Sequence, residues 1–168
     1  MSTFEYLAVG FSQALQWHNI LFCFFGVFIG TAVGVLPGIG PSSGTALLIP
    51  ITATLTGMLN PADAATSAII MLSGVFYGAM YGGSTTSVLI NTPGESASVV
   101  TCLDGYQMAK KGRAGPALAI AAIGSFIAGL FALVMLAILA RPLAEVALKF
   151  GPAEYFSLVV LGLAAISG

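Results

Sequence analysis

The chain reads as long apolar blocks separated by short polar knots. Apart from His18, nothing between Glu5 and Asp63 is ionisable at neutral pH, and further charge-free runs cover residues 64–94 and 114–140. A helix crosses the hydrocarbon core in roughly 20 residues, so each run supplies at least one crossing. The pattern predicts an all-α membrane protein, a polytopic helix bundle of about four to five spans joined by short connections.

Residues 1–18 mix Leu7, Phe11, Leu15 and Trp17 with polar positions at roughly helical spacing, which predicts an interfacial segment with Trp17 at headgroup level. Residues 19–36 form the first expected span. Within it Gly26, Gly30 and Gly34 recur at every fourth position, a stripe along which another backbone can approach closely. The helix has to stop at Pro37-Gly38-Ile39-Gly40-Pro41, because proline removes donors and clashes with the preceding turn while glycine admits unusual dihedrals. The next apolar run, residues 45–59, would be only about 22 Å long as a helix, short of the ~30 Å hydrocarbon core. It also contains Pro50, so it reads as part of a discontinuous helix of the kind found in carriers.

Asn60-Pro61-Ala62-Asp63 combines an N-cap residue, a proline at the first helical position and an acid in the first turn. It predicts a helix running to about Met80, with a second glycine stripe at Gly74, Gly78 and Gly82. The sequence alone does not pair the two stripes. Tyr81-Gly82-Gly83 and Asn91-Thr92-Pro93-Gly94 then bracket the hydroxyl run Ser84 to Ser87, a poor lipid-facing surface. A re-entrant hairpin is expected there, since non-helical backbone at membrane depth needs cover from protein or a water-filled cavity. The stretch on to Gly115 is expected to be a loop, and Lys110, Lys111 and Arg113 put it on the cytoplasmic side. Residues 116–140 are the clearest single span, and 141–150 suggest a short interfacial helix. Gly151-Pro152-Ala153-Glu154 opens a final apolar segment of about 14 residues, shorter than a span needs, which reads as a fragment or truncated product.

Composition reinforces the lipid reading and removes several functions. The 168 residues are 58% hydrophobic and only 7% charged, with a formal net charge of −1. Nothing points to nucleic acid. Cys23 and Cys102 have neither disulfide nor metal spacing, and His18 is the sole histidine. Asp63, Glu95, Asp104, Glu145 and Glu154 fall at segment ends or in loops, where solvation or helix capping accounts for them. Gly38-Ile39-Gly40 lacks the spacing and the preceding strand of a dinucleotide fingerprint, and there is no Walker lysine motif. Enzymatic chemistry and a bound cofactor are therefore not expected.

What remains is an uncharged, glycine-rich constellation suited to an anion. Helix N-termini expose unpaired N–H groups with a partial positive charge, and hydroxyls add directional donors. Gly38, Gly40, Pro41, Ser42, Ser43 and Thr45 would stand at the N-terminal end of the short helix after Pro41, with Ser84, Thr85, Thr86 and Asn91 facing them from the hairpin. The plainer alternative is that these hydroxyls only satisfy broken backbone.

Two ordered motifs carry a family resemblance. Gly30-Thr-Ala-Val-Gly34-Val-Leu-Pro37-Gly38-Ile-Gly40-Pro41 resembles the signature of the large membrane subunit of tripartite tricarboxylate transporters, the TctA type. Tyr81-Gly-Gly-Ser84-Thr-Thr-Ser-Val-Leu-Ile-Asn91-Thr-Pro93-Gly94, followed by Asp104-Gly105 and Met108-Ala109, is similar to that family's second recognisable stretch. The resemblance implies uptake of tricarboxylates or related carboxylates across a bacterial inner membrane, driven by an H⁺ or Na⁺ gradient. It also implies a periplasmic solute-binding protein and a small membrane subunit as partners. Family members are longer and carry a second Pro-Gly-x-Gly-Pro-type signature in an inverted C-terminal half, so residues 19–168 would be the N-terminal part of a permease domain, half of an inverted-repeat carrier. The alternative is a truncated, non-transporting assembly or scaffold fragment whose glycine stripes only pack helices.

Overall fold

The computed structural model describes residues 3–167. Those residues contain no strand and form α1 (Thr3–Ala14), α2 (Trp17–Gly34), α3 (Gly40–Thr56), α4 (Pro61–Ile90), α5 (Val99–Lys110), α6 (Ala114–Ala147) and α7 (Pro152–Ser167). Residues 17–34, 63–90 and 114–140 are helices long and apolar enough to cross a membrane. The chain is thus an all-helical membrane protein, with α3 and α7 shorter than a usual span. Its contacts divide it into two compact units, up to Ala122 and from Ile123 onward.

The first unit is organised by α2 and α4, whose glycine stripes meet. A Cβ built on Gly26 would collide with the Met71 carbonyl oxygen, one on Gly30 with that of Val75, and one on Gly34 with that of Ala79. From the other side, a Cβ on Gly74 would lie 2.8 Å from the Cys23 oxygen, and those on Gly78 and Gly82 would lie 2.9 Å from the Thr31 and Val35 nitrogens. Each step of four residues along α2 is matched by a step of four in the same direction along α4, so the two helices run parallel. Between lipid-solvated helices apolar burial supplies little attraction, and close backbone packing replaces it. Met71, Val75 and Ala79 are fully buried along this seam.

A parallel pair needs a return, and α3 supplies it. Its 17 residues span about 25 Å, nearly the ~27 Å of α2. Pro41, Gly44, Leu48, Thr52 and Thr56 form its buried face. Gly44 lies against α2, where an added Cβ would be 3.0 Å from Val33 Cγ1. Pro50 is accommodated inside the helix.

At the opposite end of the seam a buried polar bridge sets the register. Ser67 Oγ donates to Asn19 Oδ1 at 2.5 Å, and Asn19 Nδ2 donates to the Gln13 carbonyl at 2.8 Å across the break between α1 and α2. Asn19 and Ser67 are essentially inaccessible, so each satisfies a group that would otherwise be buried unpaired.

Three expectations are corrected. No hairpin forms at Ser84–Ile90, because α4 stays helical through Gly82-Gly83 and the hydroxyl run. In a tightly packed bundle a glycine pair is a contact surface, and the helix ends only at Asn91, whose left-handed conformation (φ 56°) asparagine tolerates better than other non-glycine residues. The stretch expected as a loop before Gly115 contains α5, joined to α4 by residues 91–98. Residues 141–147 continue α6, with Pro142 inside it, instead of forming a separate interfacial helix.

In the second unit α7 starts where the Gly-Pro-Ala-Glu motif predicts. The Gly151 N–H donates to Glu154 Oε2 at 2.8 Å, which satisfies one of the orphan donors of the helix start.

The seam makes a signed prediction. Gly30→Ala should destabilise by about 1–3 kcal/mol, because the new methyl forces two backbones apart. Gly10→Ala, with nothing within 4 Å, should be neutral or stabilising by up to about 1 kcal/mol. Unfolding of the two variants in detergent micelles checks this, and equal stabilities would remove the seam as the determinant.

Candidate functional site

The break after α2 is built from backbone freedom. Gly38 (φ 88°) and Gly40 (φ 66°) both adopt left-handed conformations, and they reverse the chain between Gly34 and the first turn of α3. No side chain caps that turn. Its first amides have no carbonyl one turn back to bond, and Pro41 contributes no N–H at all, so the Gly40 and Ser42 amides remain as donors.

Beyond α4 the chain folds back on itself. Gly94 lies against Gly83, with its Cα 3.3 Å from where a Cβ on Gly83 would stand, and a Cβ on Gly94 would lie 3.0 Å from the Gly34 carbonyl oxygen. Three backbones therefore converge, from the end of α2, the body of α4 and the returning segment. Ser98 pins that segment: its buried hydroxyl donates to the Glu95 carbonyl at 2.9 Å and accepts from the Glu95 N–H at 3.2 Å.

The result is an open cleft of about 510 Å³. One wall is residues 38–43, and the other is residues 93–96 with Val99, the first residue of α5. Two helices thus begin at its rim, each presenting the positive end of its dipole. The exposed hydroxyls of Ser42, Ser43 and Ser96 add donors that can follow a ligand, and Glu95 is the sole ionisable residue among the lining. An arrangement of this kind can hold a carboxylate or another oxyanion without a basic side chain.

Of the residues singled out from sequence, Gly38, Gly40, Pro41, Ser42 and Ser43 come together on the cleft wall. Thr45 lies one turn deeper, its hydroxyl donating to the Pro41 carbonyl at 2.7 Å. Ser84, Thr85 and Thr86 are not part of the lining. Their hydroxyls turn back onto α4 itself, Ser84 to the Met80 carbonyl at 3.1 Å, Thr85 to Tyr81 at 2.9 Å and Thr86 to Gly83 at 3.0 Å. Asn91 serves as the α4 cap, its N–H donating to the Thr86 carbonyl. The opposing wall, Pro93 to Ser96, was missed because its Pro-Gly pair read as the end of a hairpin. The available signal was the second proline-glycine break, which mirrors the first.

Three candidate spans, a backbone-packed seam and a cleft between broken segments define a polytopic helical membrane protein. Residues 20–168 match the model of the "Tripartite tricarboxylate transporter TctA family". The chain belongs to that family. It is also similar to an uncharacterised 52.8 kDa protein of Agrobacterium vitis, from the TAR-I ttuC' 3' region, with 59% identity over 163 residues. The match covers 97% of this chain and 31% of that protein, so the chain spans about a third of the length of this relative. No solved structure matches.

The two left-handed glycines yield a test independent of any ligand. A Cβ on Gly40 meets nothing closer than the Glu95 Cβ at 4.0 Å, so substitution there is opposed by conformation rather than crowding. Gly40→Ala should cost about 1–2 kcal/mol, and Gly40→Asn distinctly less, because asparagine tolerates the left-handed region. Thermal unfolding of both variants decides it, and equal cost would mean that φ is not what fixes glycine at this position.

Proposed function

We propose that this chain is part of the membrane permease of a binding-protein-dependent secondary transporter for tricarboxylates or related carboxylates. The observation that carries the reading is the cleft between the starts of α3 and α5, lined by the first turn of α3, which no side chain caps, and by the exposed hydroxyls of Ser42, Ser43 and Ser96. A helix N-terminus contributes about 0.3–1 kcal/mol to an anion, and up to ~2 kcal/mol in partly buried geometry. Two such ends with hydroxyl donors suit a solute that must be bound and released in every cycle. Membership of the family supports the solute class, a multi-pass place in the bacterial inner membrane, and a periplasmic binding protein and small membrane subunit as partners. It likewise supports a driving gradient of H⁺ or Na⁺.

The rival is a packing module without transport, favoured by the α2–α4 glycine seam taken alone. The two readings differ at Ser43, which the seam does not use. In the complete carrier, Ser43→Leu should lower binding-protein-dependent citrate uptake at least about tenfold, the equivalent of 1.4 kcal/mol, with membrane insertion intact. Thr85→Val, whose hydroxyl serves only its own helix, should keep uptake within about twofold. Full uptake by Ser43→Leu would favour the packing module.

A further inference from the structure

The cleft contains a charge of the wrong sign. If it receives carboxylates, the only ionisable side chain among its lining residues should be basic or absent, yet it is Glu95. The glutamate is not there by looseness of the chain. Both of its backbone polar groups are held by the buried Ser98 hydroxyl, and its Cβ stands 4.0 Å from where a Cβ on Gly40 would be, beside the first turn of α3. No ion pair or side-chain hydrogen bond among the described residues engages its carboxylate. The neighbouring elements carry no compensating charge at this point. The α3 helix has no ionisable residue, the acid of α4 is Asp63 at the far end, Asp104 of α5 lines a separate groove with Val88, and the α5 cation, Lys110, stands in the last turn over the Tyr106 ring.

Resting on the carboxylate reading above, we propose that Glu95 is the residue on which the driving cation binds. In the empty cleft its carboxylate complements the positive ends of α3 and α5. A substrate carboxylate competes for the same donors and is repelled by Glu95 while that group is ionised. Binding of a proton, which turns the carboxylate into a neutral acid, or of Na⁺, which offsets its charge, removes the repulsion and leaves the amides to the substrate. Each ligand therefore raises the affinity for the other, and by linkage the two effects are equal. A bare amide site would bind carboxylates regardless of the gradient. The added acid ties occupancy of the cleft to the cation.

The test uses the complete carrier in proteoliposomes, with labelled citrate, malate and succinate as probes and separate arms for an imposed pH gradient and an imposed Na⁺ gradient. Wild type should accumulate at least one probe in one arm, which also identifies the cation. Its apparent affinity should weaken at least about fivefold when that cation is withdrawn. Glu95→Gln carries no charge to neutralise. It should lose gradient-driven accumulation at least about tenfold, while exchange of internal for external probe persists at a rate that no longer responds to the cation. Glu95→Asp keeps the carboxylate and should retain the cation response. The proposal is overturned if Glu95→Gln accumulates with the wild-type cation dependence, or if Glu95→Asp behaves as Gln does. Failure of the underlying reading has a different signature: Ser43→Leu would transport normally, or wild type would take up none of the three probes.

Discussion

The α2–α4 seam is the interaction on which the rest depends. Six glycines place carbonyl and amide atoms of one helix where a side chain of the other would have to be, so neither helix can rotate or separate without losing the contact. Because the pair is parallel, the intervening segment must travel back the full length of the seam. That requirement makes α3 a return helix with one face buried in the unit rather than an irregular connection, and it fixes the Pro37–Pro41 break at the far end. The cleft follows from this arrangement, since the start of α3 is delivered beside the end of α2 and the chain emerging from α4 has to pass the same place.

Much of this was legible in the sequence, because the physics was local. Glycines at every fourth position announce close helix contact, and Pro-Gly-Ile-Gly-Pro announces a break whatever surrounds it. Asn-Pro-Ala-Asp and Gly-Pro-Ala-Glu announce helix starts, and α4 and α7 begin there. The pairing of the two stripes was not legible, since the same spacing would serve any small-residue partner.

The hairpin expectation fails for a physical reason. Gly82-Gly83 is a breaker by intrinsic preference, yet it lies inside α4, just as Pro142 lies inside α6. In a packed apolar bundle an unpaired peptide group is so costly that the chain stays helical through residues that would end a helix in water. The hydroxyl run shows the same economy. Ser84 to Ser87 do not need a cavity, because each hydroxyl finds a carbonyl three or four residues back on its own helix. Thr86 and Ser87 are buried, and the half-buried Ser84 and Thr85 are satisfied by their own helix all the same.

The regular spacing of the glycine stripes also governs how the molecule can move. Displacing α2 along α4 by a fraction of a turn would drive Cα hydrogens onto carbonyl oxygens, whereas a slip of one whole turn, about 5.4 Å, would set glycine against backbone one turn along. The pair therefore behaves as a notched rail with discrete stops, and gradual sliding is barred. Residues 35–39 and 91–98, the breaks that flank the cleft, join onto this rail without forming part of it, so the opening stands on a base that does not slide.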